Sequence, residues 1–412
     1  MRRNATSRSS ANGFRAGCYG PDVPRPRTDA APLDRARADA PSLRRALLAW
    51  FEREQRDLPW RRTKDPYAIL VSELMLQQTR VDVVIPYFER FVERFRDVAA
   101  LASAPEAAVL AAWSGLGYYR RARFLQAAAR VVVRDHGGAF PATFDAILEL
   151  PGVGRYTAGA IASIAFGSPA TLVDGNVARV FARWFAQDGD QRSTAEQKRL
   201  WALADVLLDR ERPGDFNQAL MELGACVCTP RAPRCTSCPV ARWCEARKLG
   251  DPERFPAAKP RKATLDVRLA VLATFDAKRR IGLVRRAAGT RMERMLDLPG
   301  LELTTHDDAA VELADYARSA FCIDAPTLEL AGRARHTITH HRIAIEVWTA
   351  KARRGASGER TAGREPAPRG IAARPDADGL TFWEPARLRA EGVANLASKA
   401  LRLVGVTDSR HE

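Results

Sequence analysis

From Ser42 onward the apolar residues recur at helical spacing. Ser42 has the chemistry of an N-cap, and Leu43, Leu47, Trp50 and Phe51 follow it on one face. The same periodicity runs to about residue 245, in stretches such as 105–116 and 121–133, punctuated by glycine and proline. No strand-like alternation interrupts it, so residues 42–250 are expected to form a mainly α domain. Residues 251–264, with three prolines and several charges, read as a linker. The pattern then changes to period two. Leu265, Val267, Leu269 and Val271 alternate, as do Ile343, Ile345 and Val347, and both runs predict strands. Helical stretches at 309–321 and 392–404 complete a smaller α+β domain over 265–408. Residues 1–41 lack apolar periodicity and read as a disordered basic arm. Residues 352–378, rich in Arg, Gly, Ala and Pro, read as a disordered insertion.

The charge narrows the class of partner. Lys and Arg number 65 against 49 Asp and Glu, a formal net charge of +16 over 412 residues. A polyanion is the natural partner, and nucleic acid is the first candidate. The alternative is a surface that uses arginine heavily without a nucleic-acid role. No run of about 18 or more apolar residues occurs, so no membrane partner is expected. The N-terminus has no apolar core of a signal peptide, and a cytoplasmic, nucleoid-associated location is expected. Nothing in the pattern calls for more than a monomer.

Four of the seven cysteines crowd into one stretch. Cys228, Cys235, Cys238 and Cys244 have the spacing C-x6-C-x2-C-x5-C. Four thiolates this close can wrap one metal centre, either a structural zinc or a [4Fe–4S] cluster. The single CxxC differs from the paired knuckles of zinc ribbons. The spacing resembles the cluster loop of the endonuclease III and MutY superfamily of DNA glycosylases, which implies the [4Fe–4S] cluster. Arg231, Arg234 and Arg242 interleave the thiols and are candidates for phosphate contacts. Cys226 is expected to pack, and Cys18 and Cys322 to be incidental.

The stretch 144–167 reads as helix, tight turn, helix. Leu150, Pro151, Gly152, Val153 and Gly154 make the turn. Proline stops the first helix, and the glycines permit positive φ and close backbone approach. The second helix opens with free N–H groups at its positive end, a ready phosphate site. The segment resembles the helix-hairpin-helix of DNA repair proteins, which implies backbone contacts near Leu150, Gly152 and Gly154. In strand-cleaving members of that superfamily a lysine nucleophile occupies the place of Tyr156. Its absence implies a glycosylase without strong lyase activity.

Two carboxylates stand out. Glu73 lies in Ser72-Glu73-Leu74-Met75-Leu76-Gln77-Gln78-Thr79, on a segment too apolar to carry a carboxylate without cause. The alternative is a solvent-facing glutamate. The segment resembles the SEVMLQQT signature of MutY enzymes, which implies that Glu73 protonates adenine N7 as general acid. Asp174, in Val173-Asp174-Gly175-Asn176-Val177, resembles the catalytic aspartate of the superfamily. That match implies stabilisation or covalent trapping of an oxocarbenium-like sugar, with Asn176 orienting the site. Asp174 also suits a helix N-cap, and the two roles are compatible.

The MutY resemblance further implies Gln78 and Tyr118 as the wedge that fills the stack when a base is extruded. It implies Trp60, Arg61 and Gln218 as the adenine pocket, against the simpler readings of core for Trp60 and surface for Gln218. Arg120, Arg121 and Arg123 are phosphate contacts or a solvated face. The C-terminal domain resembles, more loosely, the Nudix-like domain of MutY enzymes that senses 8-oxoguanine. Its most specific stretch is His336-Thr337-Ile338-Thr339-His340, close to the family's H-x-F-S-H. Thr339 and His340 keep the hydroxyl and the imidazole, while Ile338 replaces the aromatic. The stretch 307–321 lacks the carboxylate array that a nucleotide pyrophosphohydrolase needs for Mg²⁺. Together these imply an adenine glycosylase of base-excision repair, acting on duplex DNA with A:8-oxoG or A:G mispairs. The rivals are a thymine or uracil mismatch glycosylase of the same superfamily and a non-catalytic DNA-binding protein on the same scaffold.

Overall fold

Leu33, Ala36, Ala40, Leu43 and Leu47 repeat at three- and four-residue steps, and this stripe builds the first helix, α1 (Ala30–Glu54). In the computed structural model the described residues are 30–257, 263–287, 290, 292–324, 327–351, 353–354, 371–373 and 375–406. Helix α1 begins twelve residues before Ser42, counting from Ala30, so part of the expected basic arm belongs to the helical domain. Ala36 and Ala40 are buried against the core that holds Trp184, Phe185 and Leu200. Arg44 donates to the carbonyls of Val206 and Leu207 and ties α1 to a distant helix end. The alanines of this segment form a buried face, which its arginine content conceals. Residues 1–29 lie outside the described residues.

The helical domain continues through α2 (Pro66–Leu76), α3 (Val81–Arg94), α4 (Val98–Ser103), α5 (Glu106–Trp113) and α6 (Arg120–His136). The hairpin helices follow, α7 (Phe144–Leu148) and α8 (Arg155–Phe166). Next come α9 (Gly175–Trp184), α10 (Thr194–Leu207), α11 (Pro213–Cys226) and the short α12 (Glu245–Lys248). Among the described residues there is no strand before residue 265, as the periodicity predicts. Two apolar cores fill the domain. One gathers α2 to α8 around Trp113, Phe91 and Leu125, and the other gathers α1 with α9, α10 and α11 around Phe181 and Phe216. The second core includes Phe255, whose carbonyl accepts from Arg183 at 3.0 Å. The first residues of the expected linker are therefore packed down, and 258–262 lie outside the described residues.

The second domain is the smaller α+β unit expected from the alternation. Its strands are β1 (Leu265–Phe275), β2 (Ile281–Arg286), β3 (Leu296–Asp297), β4 (Gly300–Leu303), β5 (Ile323–Asp324), β6 (Leu328–Ile338), β7 (His341–Lys351), β8 (Arg353–Arg354) and β9 (Pro375–Trp383). The main sheet runs β3-β2-β1-β7-β6, with β4 on β1 and β9 on β2. Strand β1 is parallel to β7, with Val267 opposite Ile343 and Val271 opposite Val347. Alternate residues of β1 face opposite layers. Val267, Leu269 and Val271 meet α14 (Asn395–Leu403), while Ala270 and Leu272 meet α13 (Ala309–Phe321).

Both ends of the expected insertion are ordered. Arg353 and Arg354 form β8, and Ile371, Ala372 and Ala373 are buried before β9 starts at Pro375. A buried ion pair holds that end: Arg286 donates to Asp297 at 2.6 Å and to the carbonyls of Ile371 and Ala372. Residues 355–370 lie outside the described residues. No helix among the described residues is long and apolar enough to cross a membrane.

The two domains touch through the first turn of α6. Tyr119 donates to Asn395 Oδ1 at 3.1 Å, and Arg123, already paired with Glu106 of its own domain, also pairs with Glu293. Met295 is fully buried in the helical core.

Candidate active site

Helix α2 starts at Pro66 behind an Asp65 cap, and nearly all of its side chains are buried. Glu73 is therefore carried inside the protein, at 5% exposure, and is not a solvent-facing glutamate. It opens on a cleft of about 860 Å³ lined also by Trp60, Arg61, Tyr156, Asp174, Asn176 and Gln218. The hairpin supplies Tyr156 from the first turn of α8, and its hydroxyl donates to Glu73 Oε2 at 2.6 Å. Burial pushes the Glu73 carboxyl up to about 7; Asp174 adds to the rise, and the Tyr156 hydroxyl and Arg61 oppose it. Burial and the two carboxylates hold the Tyr156 hydroxyl well above its ordinary range, so it stays a donor.

Asp174 is the N-cap of α9. Its Oδ1 accepts from the Val177 N–H at 2.7 Å and its Oδ2 from Asn176 Nδ2 at 3.0 Å. The cap and the site are one residue, as the sequence allows. Burial raises its carboxyl, and the Val177, Asn176 and Arg179 groups hold it back. A carboxyl pushed up to about 7 and one held by hydrogen bonds from Val177 and Asn176 thus share a cleft, the division of labour that acid-assisted bond cleavage needs. Asn176 Oδ1 in turn accepts from Arg179 at 2.9 Å, and Arg179 donates to the carbonyl of Cys228 at 2.9 Å. A side chain at Gly224 would press into Asn176, with the Cβ only 2.7 Å from that side chain.

A second group on the cleft wall escapes sequence reading. Glu222 is buried and accepts from Arg56 at 2.7 and 2.8 Å and from Arg61 at 2.8 Å. Burial alone raises its carboxyl, but the two guanidiniums outweigh that and hold it at about 2. Glu222 lies four residues after Gln218 on α11, so both project from one helix face. That spacing is the signal that could have found it. Trp60 is buried edge-on to Phe88, as the core reading has it, and also lines the cleft.

Gly152 takes φ +75, and a Cβ there would overlap Phe124 at 2.3 Å. Gly154 has an ordinary extended backbone and open space around its Cβ position, so the positive-φ requirement falls on Gly152 alone. Leu150 does not reach the surface; its side chain is core. Gln78 and Tyr118 are exposed and line a second cleft of about 1000 Å³ between the domains, together with Gly152 and Thr339. His340 does not line it. Its ring stacks 4.2 Å from His341, and its Nδ1 is 3.4 Å from the Thr339 hydroxyl. Arg120 lines the same cleft, stacked on Phe124. Arg121 and Arg123 line it too but are not a solvated face: Arg121 is buried, and Arg123 pairs with Glu106 and Glu293.

Cys228, Cys235, Cys238 and Cys244 ring a small cavity beneath α9. Cys226 is not among its lining residues. Burial pushes the Cys238 thiol up to about 12, and the neighbouring thiols add to the rise. Arg183, fully buried, donates to Cys228 Sγ at 3.3 Å and to the Thr229 and Pro230 carbonyls. Among the described residues no three such side chains converge closely enough for a single ion. The four thiols surround a volume, and their donor chemistry fits a cluster. Arg234 turns inward to the Cys226 carbonyl and Arg242 stacks on Trp243, so two of the three interleaved arginines have partners within the loop.

Residues 71–205 match the HhH-GPD superfamily of base-excision DNA repair proteins. The chain is 48% identical over 239 residues to an adenine DNA glycosylase of Homo sapiens, covering 56% of this chain and 44% of that protein. The chain belongs to the MutY family of that superfamily. An adenine DNA glycosylase of Arabidopsis thaliana is 36% identical over 321 residues, covering 68% of this chain and 51% of its own. This MutY-family chain thus spans about half the length of the curated relatives it matches. A solved thermostable thymine-DNA glycosylase is 33% identical, with 52% of this chain and 98% of that one covered, at a TM-score of 0.48. The family match covers Glu73, Tyr156, Asp174 and Asn176; the cysteine loop and the second domain lie beyond it.

Proposed function

We propose that this chain is a monofunctional adenine DNA glycosylase of base-excision repair. Its substrate is adenine mispaired with 8-oxoguanine or guanine in duplex DNA. The observation that carries the reading is Glu73, a carboxyl buried on the cleft wall and pushed up to about 7, facing Asp174 across the same space. Glu73 donates its proton to N7 of the extruded adenine. The C1′–N9 bond breaks with its electron pair on the base, and the ionised Asp174 stabilises the sugar cation or traps it covalently. Water then bonds to C1′ and returns a proton to the Glu73 carboxylate, which balances the hydrolysis. Tyr156 orients Glu73 and offers no amine, so no Schiff base forms.

Trp60, Arg61 and Gln218 suit the base pocket, with Glu222 fixing the Arg61 guanidinium. Gln78 and Tyr118 suit the wedge. The N–H groups at the start of α8, open beside Gly154, suit a phosphate. Thr339, on the Nudix-like domain, suits the strand opposite the adenine. Cys228, Cys235, Cys238 and Cys244 would hold a [4Fe–4S] cluster, which when bound cross-links the loop under α9. The acting species is a monomer in the cytoplasm, at the nucleoid.

End-labelled duplexes carrying 8-oxoG:A, G:A, G:T and G:U test the reading. Alkali-revealed cleavage at adenine, fastest opposite 8-oxoguanine, is expected. Equal rates at 8-oxoG:A and G:A would remove the role of Thr339 and keep the activity. Cleavage at thymine or uracil alone would replace the reading with a mismatch glycosylase of pyrimidines.

A further inference from the structure

Gln78 and Tyr118 share an uncommon backbone state. Their φ values are +58 and +49, in the left-handed region that non-glycine residues rarely adopt. They sit on separate loops, one after α2 and one before α6, and both face the interdomain cleft. Such conformations persist only where their surroundings over-determine them. One side chain provides that constraint for both.

Arg121 is 7% exposed and has no carboxylate partner among its hydrogen bonds. Its Nη1 donates to the carbonyls of Leu74 at 2.7 Å, Met75 at 2.8 Å and Gln77. Its Nη2 donates to the Thr79 hydroxyl at 3.1 Å and to the carbonyls of Leu116 and Gly117 at 3.3 and 3.2 Å. The guanidinium also lies 5.3 Å from the centre of the Tyr118 ring. A cation capping the end of α2 would account for the first set alone. The second set joins the other loop to it. The forked geometry serves both; a lysine ammonium, with three donors on one atom, would not. The Nε of Arg121 is left without a partner in the interior, a cost that capping one helix does not require.

We propose that Arg121 is the positioning residue that presents Gln78 and Tyr118 to the duplex as one rigid pair, at the point where the target base leaves the stack. This rests on the glycosylase reading. Arg121 touches no substrate and acts through the two loops. Its effect should fall on extrusion of the base and spare the bond cleavage that follows.

The test uses the full chain, wild type beside Arg121→Gln and Arg121→Lys. A duplex with 2-aminopurine opposite guanine reports extrusion, because that base brightens when unstacked. Adenine release is followed in single turnover on two duplexes, adenine opposite guanine and adenine opposite an abasic site, where little pairing resists extrusion. In Arg121→Gln the fluorescence rise should vanish and release opposite guanine should fall about 100-fold. Release opposite the abasic site should stay within about threefold. Arg121→Lys, which keeps the charge and folds with less disturbance, should show the same imbalance at smaller size. Equal losses on both duplexes, with or without a lower melting temperature, would overturn the proposal, as would no loss or an unchanged fluorescence rise. If wild type releases no adenine from either duplex, the glycosylase reading fails, and the fluorescence comparison still decides Arg121. No rise in wild type itself would also overturn it.

Discussion

The Tyr156 hydroxyl donates to Glu73 Oε2 at 2.6 Å across 83 residues of chain. The bond favours the ionised carboxylate, yet burial wins and Glu73 stays near neutrality. Tyr156→Phe removes the donor and keeps the ring. The Glu73 carboxyl should then rise further, and the alkaline limb of the pH–rate profile should move up with it. The lost orientation is worth about 1 kcal/mol, or several-fold in rate. Single-turnover adenine release measured across pH checks both. An alkaline limb that stays put would show that Glu73 is not the titrating acid.

Glu73→Gln separates chemistry from stability. The folded carboxyl titrates at about 7, above its ordinary 4.5. Its contribution to stability is complete below the unfolded value and is lost as pH rises through the folded one. Above that point the buried charge costs about 3 kcal/mol as an upper bound. Glutamine is neutral throughout and still accepts from Tyr156. Adenine release should fall by about 10²–10⁴, the scale of a lost general acid, while duplex binding persists. The variant's melting temperature should match wild type in mild acid and exceed it in mild alkali. No gain in alkali would mean that Glu73 is neutral or well solvated there.

The pattern of the chain carried most of the architecture and the candidate carboxylates that the fold brings to one cleft, for local reasons. Glu73 announces itself as a carboxylate in an apolar helix, and Gly152 as a turn residue whose φ no β-carbon tolerates well. The period-two runs at 265–271 and 343–347 became adjacent parallel strands, and the helix expected at 309–321 has those bounds. What the pattern hid was tertiary. Ala36 and Ala40 look like part of a polar arm until α9 and α10 cover them. Glu222 draws its meaning from Arg56, 166 residues away, and Arg121 from carbonyls up to 47 residues away. Ile371 is buried in the apolar core of the second domain, where Arg286 reaches its carbonyl across 85 residues. Polar side chains that find distant backbone partners leave no periodic trace.

Asp174 caps α9 and, in the proposed reaction, also serves the sugar cation, two tasks that substitution can divide. Asparagine caps a helix about as well as aspartate, so Asp174→Asn should keep the Val177 contact and change stability by less than about 1 kcal/mol. It removes the negative charge that the proposed reaction sets against the sugar cation. Release should fall by about 10²–10³ or more. Asp174→Ala loses cap and charge together and should also lower stability by about 1 kcal/mol. Thermal melts of both variants beside their single-turnover rates make the comparison. Equal activity in wild type and Asp174→Asn would reduce Asp174 to a cap.

The cysteine loop is joined to the site by a short chain of contacts. Arg179 holds the Cys228 carbonyl and the Asn176 amide oxygen, and Asn176 holds Asp174. Val240, Trp243 and Ala246 from the same loop fill the core beside Phe181 and Trp184. Without a bound centre, burial pushes the Cys235, Cys238 and Cys244 thiols up, and nothing cross-links the four cysteines of the loop. Protein grown under iron limitation, or Cys238→Ser, should therefore contain little iron and acid-labile sulfide. It should be cut readily by protease between Cys228 and Cys244, and α1 to α8 should keep most of their helical circular dichroism. Adenine release should fall with it, because Asn176 loses its anchor. Cys226→Ser provides the contrast. Its thiol does not line the cavity, so its iron content should equal that of wild type. Full protease resistance of an iron-free preparation would mean that the packing of Val240 and Trp243 alone holds the loop.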